Sequence, residues 1–191
     1  TIAFKFFSLF FKNYFFIHNV GLNKKQFFLL NLKLKQFPFY WINPEYIKSE
    51  FDMKKRKLIF LNKENKKRNF DNFVSSILYT LIPKTYLEDY DSIKKTFEDS
   101  YWPKNSKIIL NSYNYKSDDL FQIYVAESKR KNKTKYYILQ HGGNFGLAEF
   151  EFEEVLQTQL ATKFLTWGWR SKHKNVHPFH SLNLSNHKIK K

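Results

Sequence analysis

The sequence predicts an α/β fold built on a parallel, Rossmann-like sheet with flanking helices, and three observations predict it. Residues 107–111, 135–139 and 163–167 are short apolar runs of strand length. Between them lie two segments of helical pattern, 117–131 and 147–160. The connections are short, and strand–helix–strand units joined this way form right-handed crossovers between parallel strands. A glycine loop, Gln140-His141-Gly142-Gly143-Asn144-Phe145-Gly146, follows the second run directly. It therefore sits at the carboxyl edge of the sheet, where open α/β sheets put their ligands.

The remaining elements follow in chain order. Residues 2–18 and 23–33 read as Phe-rich helices. The first is very apolar, but Lys5, Lys12, Asn13 and His18 interrupt it before the roughly 20 continuous apolar residues a membrane span needs. It also lacks the leading charge and small-residue cleavage site of a signal peptide. A buried helix (Phe4 to Ile17) is the first reading, and a basic amphipathic helix lying on a membrane surface is the second. Phe37 to Pro44 carries two prolines and cannot be regular helix. Lys54-Lys55-Arg56-Lys57 leads into the apolar run Leu58 to Leu61, and Lys63 to Asn69 reads as a solvated, charged loop. Phe73, Ile77, Leu78 and Leu81 sit at helical spacing up to Pro83, which ends or restarts that helix. Lys84 to Glu98 reads as a second helix, closed by Trp102-Pro103. Ser117-Asp118-Asp119 opens the next, with its acidic pair on the positive end of the helix dipole.

At 191 residues the chain suffices for one well-cored domain, or one and a part. It contains no cysteine, which excludes disulfides, zinc–thiolate sites and thiol nucleophiles. The single Met is Met53, and with Thr1 first and Lys191 last the chain reads as a fragment. A cytoplasmic protein, peripheral at most to the inner face of a membrane, is expected. The net charge of +16 is uneven: 15 Lys/Arg against 4 Asp/Glu over residues 1–70, and 18 against 13 over 71–191. A lysine-rich solvated surface explains this simply; a surface for anionic partners is the alternative.

His141 is the strongest chemical candidate. A neutral imidazole takes a proton from an acceptor hydroxyl, and an imidazolium neutralises a leaving phosphate. The plain alternative is a histidine that only braces its loop. Gln140 reads as an orienting residue. Gly142, Gly143 and Gly146 either free backbone N–H groups for an anion at the start of helix 147–160 or merely make a tight turn. Glu149, Glu151, Glu153 and Glu154 weigh against an anion there. Glu88, beside Asp89 and Asp91, belongs to a surface acidic cluster or is a cleft-facing base. Trp167 and Trp169 pack as core, or one stacks on a sugar. His173, His177 and His180 are split by Pro178 and lack metal-ligand spacing, so no metal site and no cofactor are expected.

Leu81 to Glu88, Ile108 to Ser112, Asp119-Leu120-Phe121, Gln140 to Gly146 and Thr166-Trp167-Gly168-Trp169 occur in this order. This arrangement resembles a family of bacterial transferases assigned to surface-carbohydrate biosynthesis. That family is distantly similar to CDP-glycerol glycerophosphotransferases and capsule-forming sugar transferases. The match covers about residues 73–170, and the glycine loop together with Thr-Trp-Gly-Trp is its specific part. Relatives often carry an acidic residue just before the last strand, where this chain has Ala161-Thr162.

The resemblance implies a GT-B-type enzyme of two Rossmann-like domains, with this chain as the acceptor-side half. Residues 1–70 would be a largely helical part of that half, 71–170 its Rossmann-like core, and 171–191 the connection to a missing donor domain. It further implies His141 and Glu88 as catalytic groups, with Gln140, Gly142, Gly143, Asn144, Gly146 and Trp167 contacting substrate. A nucleotide-activated donor would pass a sugar or glycerophosphate-like group to a glycan or lipid-linked acceptor. The rival readings are a nucleic-acid-binding module and a non-catalytic membrane-surface module. The Phe runs look like core rather than like rings interleaved with Lys on strands, which disfavours nucleic acid.

Overall fold

A strand covered by helices is apolar along most of its length, and four such runs with one short edge strand make the centre of this protein. The structure, a computed structural model, describes residues 14–38, 43–61, 69–113, 116–182 and 184. The strands are β1 (Phe15–His18), β2 (Ile108–Asn111), β3 (Lys135–Leu139), β4 (Lys163–Thr166) and β5 (Val176–Pro178). They form one sheet in the order β1-β2-β3-β4-β5, and every pair is parallel. The predicted α/β class and its three strands are therefore present, flanked by helices. The order never reverses among the described strands, so the polar strand ends, rather than a switch point, mark the candidate site.

Two compact units divide the chain, one from the described parts of 1–43 and 101–191, the other from those of 44–100. In the sheet unit, paired residues share a face. Phe16, Ile109, Tyr136, Ile138 and Phe164 line one face and are at most 3 % exposed. Helix α5 (Asp119–Asn132) covers that face with Phe121 and Tyr124, joined by Trp102. On the other face Ile17 and Leu139 pack with Val20 and with Phe27 of helix α1 (Lys24–Lys33). The α5 N-cap is Asp118, whose carboxylate accepts from the Phe121 N–H, as the Ser117-Asp118-Asp119 start anticipates. α1 opens with a capping box between Asn23 and Gln26.

Three expectations are corrected here. Residues 15–18 belong to a strand, not to a helix ending near 18; the rest of that predicted helix, before residue 14, lies outside the described residues. A dense Phe run is ambiguous between buried strand and helix, and the parallel partner β2 decides it. The helix predicted at 147–160 starts only at Phe152, as helix α6 (Phe152–Leu160). Residues 176–178, expected in an interdomain connection, instead form the edge strand β5. The predicted loop 63–69 lies outside the described residues except for Asn69.

The second unit comprises α2 (Met53–Leu61), α3 (Asn69–Leu81), a short 3-10 turn (Lys84–Tyr86) and α4 (Tyr90–Asp99). The single helix predicted for 84–98 is thus broken, and Glu88 and Asp89 fall in the break. The Glu88 side chain and Asp89 are buried rather than part of a surface acidic cluster. Glu88 receives two hydrogen bonds from Arg56, Nε at 2.6 Å and Nη2 at 2.7 Å. Arg56 also donates Nη1 to the carbonyls of Tyr79 and Ile82, closing the end of α3. Asp89 accepts from the Ser49 N–H.

His18, at the end of β1, stacks on Phe121 with ring centres 5.0 Å apart and lies beside Trp102. Burial pushes its imidazole below the ordinary value, against the pull of Asp118. The unfolded chain therefore binds a proton near 6.5 that the folded chain refuses. Stability is full above that pH and is expected to fall as pH drops through the folded value. Urea midpoints should be lower at acid pH than at neutral pH, and His18→Gln should flatten the difference. An unchanged pH dependence in His18→Gln would contradict this assignment.

Candidate active site

Strand ends leave carbonyl and amide groups that the ladder no longer pairs. Here polar side chains close them at the carboxyl edge. Asn111 donates to the His18 carbonyl at 2.9 Å, and Ser112 Oγ to the Leu139 carbonyl at 3.2 Å. Thr166 Oγ1 donates to the Trp169 carbonyl at 2.6 Å. A polar residue at or just after the end of each apolar run is visible in the sequence, but nothing local assigns Asn111, Ser112 or Thr166 its partner.

Gln140 does the most. Its Oε1 accepts from the Trp167 N–H and from Trp169 Nε1, both at 2.8 Å. Its Nε2 donates to the Gly142 carbonyl at 2.6 Å. The buried amide thus binds the glycine loop to the Thr-Trp-Gly-Trp turn and orients both. Gly168, between the tryptophans, turns the chain at φ +97°. Trp169 packs inward, edge-on to Phe164, while Trp167 keeps 37 % of its surface at the rim.

The glycines differ in what they require. Gly146 has φ +77°, and a Cβ there would lie 2.7 Å from the Trp169 ring. Gly143 has neither constraint, since a Cβ there meets nothing within 4 Å. Gly146→Ala is therefore expected to cost about 1–3 kcal/mol through strain and overpacking, and Gly143→Ala almost nothing. Thermal unfolding of the two variants checks this, and equal costs would refute it. Asn144 is exposed on the same turn, and its carbonyl accepts from the Leu147 N–H.

Because α6 starts at Phe152, the glycine loop does not lead straight into a helix N-terminus. Carboxylates also occupy local amides: Glu154 accepts from the Gly146 N–H at 2.6 Å, and Glu151 from the Glu154 N–H. A phosphate would have to displace them.

His141 lies edge-on to Tyr113 and Phe145, with ring centres 5.6 and 5.4 Å away. Its Nε2 is 3.5 Å from Glu153 Oε2, and Lys116 donates to the other oxygen of Glu153. Burial pushes the imidazole below its ordinary value, opposed by Glu153 and Glu151 and assisted by Lys116. Aromatic rings wall this imidazole, a carboxylate lies beside one of its nitrogens, and burial favours its uncharged form. Tyr113 and Lys116 follow β2 and are distant in sequence, so no local pattern reports them as its neighbours, whereas Glu153 belongs to the acidic run just after the glycine loop. Glu88 lies in the other unit. Arg56 holds its carboxyl well below the ordinary value, at about 2, so it is a weak base. Among the described residues no group of three or more His, Asp or Glu is placed to hold a metal ion.

A parallel α/β sheet with a partly buried histidine at its carboxyl edge is a framework that serves many chemistries, transferases among them. The family comparison places the chain in that class. A family model described as LIC12162 family transferase matches residues 1–191. The chain belongs to that family. No curated protein and no solved structure matches it.

Proposed function

We propose that the protein transfers a sugar or glycerophosphate-like group from a nucleotide-activated donor to a surface-glycan or lipid-linked acceptor, within a GT-B-type enzyme. The observation that carries this reading is His141 at the carboxyl edge of β3, its Nε2 3.5 Å from Glu153 Oε2, in a member of a transferase family. His141 takes the proton of the acceptor hydroxyl, and Glu153 steadies the imidazolium that forms. Trp167 offers a half-open ring for a sugar face. Gln140, Gly142, Gly143, Asn144 and Gly146 shape the acceptor side, while Glu88 is committed to Arg56 and takes no step in this scheme. The donor pocket belongs to a second Rossmann-like half, and contact with an anionic membrane completes the reading. Among the described residues no helix is long and apolar enough to cross a membrane.

The test is a transfer assay on the product of the full reading frame, with a panel of nucleotide-activated sugars and polyols and a surface-glycan acceptor. Acceptor-dependent nucleotide release supports the reading. No release with any donor, or a reading frame without a second Rossmann-like half, overturns it.

A further inference from the structure

A helix that buries one stripe in a soluble core normally turns a polar face outward. Helix α1 does not. Phe27 is buried in the core, with Leu30 and Leu34 packed against the same cluster. On the opposite side Phe28, Leu29 and Leu32 are 48, 46 and 50 % exposed. Helical geometry sets these three within one stripe, with Lys24 and Lys33 along its two borders and Lys25 within it. All three lysines are exposed. No Asp or Glu occurs anywhere from Thr1 to Pro44.

We infer that this outer face of α1 docks on an anionic lipid surface, with Phe28, Leu29 and Leu32 entering the headgroup–acyl boundary and Lys24, Lys25 and Lys33 meeting lipid phosphates. Charge decides the occupant. Leu147, Phe150 and Phe152 form another exposed apolar segment, but Glu149, Glu151, Glu153 and Glu154 are threaded through it and would repel the same lipids. On α1 every charge is positive, the combination that interfacial helices use. This deepens the membrane contact of the proposed function and rests on that part of it. The assay reads lipid binding without turnover, so its failure and the failure of the transferase chemistry stay distinguishable.

The experiment is cosedimentation of the whole chain with phosphatidylglycerol-containing vesicles and with pure phosphatidylcholine vesicles, at low and high salt. Binding should require the anionic lipid and weaken with salt. Each lysine near an anionic surface contributes about five-fold to partitioning. Lys24→Glu/Lys33→Glu should therefore lower binding by well over ten-fold, and Phe28→Ser/Leu32→Ser by a similar factor. Circular dichroism melts confirm that both variants fold; if the serine variant does not, the glutamate variant, altered only at exposed positions, decides. Wild-type binding in the charge-reversed variant overturns the proposal. So does loss of binding in Phe70→Ser/Phe73→Ser alone, which would move the surface to α3. A wild-type dimer that Phe28→Ser/Leu32→Ser dissociates, without vesicle binding by either, identifies a second copy as the occupant and overturns it too.

Discussion

His141→Ala is expected to lower turnover of the full-length enzyme about 10²- to 10⁴-fold, the range a positioned acid–base group supplies. Donor affinity should stay nearly unchanged, because in the proposed scheme the donor pocket lies in the other half. His141→Gln keeps a hydrogen-bonding side chain but cannot shuttle a proton. It should be nearly as poor as Ala if the role is acid–base, and close to wild type if the histidine only braces the loop. The pH profile carries the sign. A base works when deprotonated, so activity should rise through the folded value, which lies below 6.5. Glu153 raises that value, so Glu153→Gln should move the acid limb to lower pH. Lys116 lowers it, so Lys116→Ala should move the limb the other way. Unmoved limbs in both variants would separate the titration from His141 and defeat the assignment.

Arg56→Met should be the most destabilising single change in the unit 44–100. Arg56 and Glu88 are 1 % and 3 % exposed, and removing one partner strands the other charge. Breaking a buried pair in this way costs about 3–5 kcal/mol. The Tyr79 and Ile82 carbonyls lose their donor as well. Arg56→Met/Glu88→Leu should recover part of the loss, because it removes the stranded carboxylate but leaves those carbonyls unmet. Acid acts on the same pair. Glu88 titrates at about 2 when folded and near 4.5 when unfolded, so its contribution is complete above 4.5 and disappears as pH falls towards 2. Hydrogen exchange over residues 44–100 measures both effects. Protection equal to wild type in Arg56→Met would show that the pair contributes nothing.

The sheet was legible in the sequence because a parallel strand covered by helices is apolar along most of its length. Residues 107–111, 135–139 and 163–167 are such runs, with caps and turns at their ends. The glycine loop was legible for a related reason. Its position after the central strand follows from chain order, and Gly146 is required by its own backbone angle. Beyond that, the decisions were tertiary. Whether Phe15–His18 extends or coils depends on the free edge of β2 beside it, which no local pattern reports. Val176–Pro178 is too short to declare itself, and it is a strand because β4 pairs with it. Glu88 looked like surface because its acidic neighbours do. It is buried because an arginine 32 residues earlier supplies both hydrogen bonds and countercharge. The same holds at the site. Gln140, His141, Trp169 and the acidic run after the loop are visible as residue types, but that Trp169 meets Gln140, and that Tyr113, Lys116 and Glu153 meet around His141, is decided by folding alone.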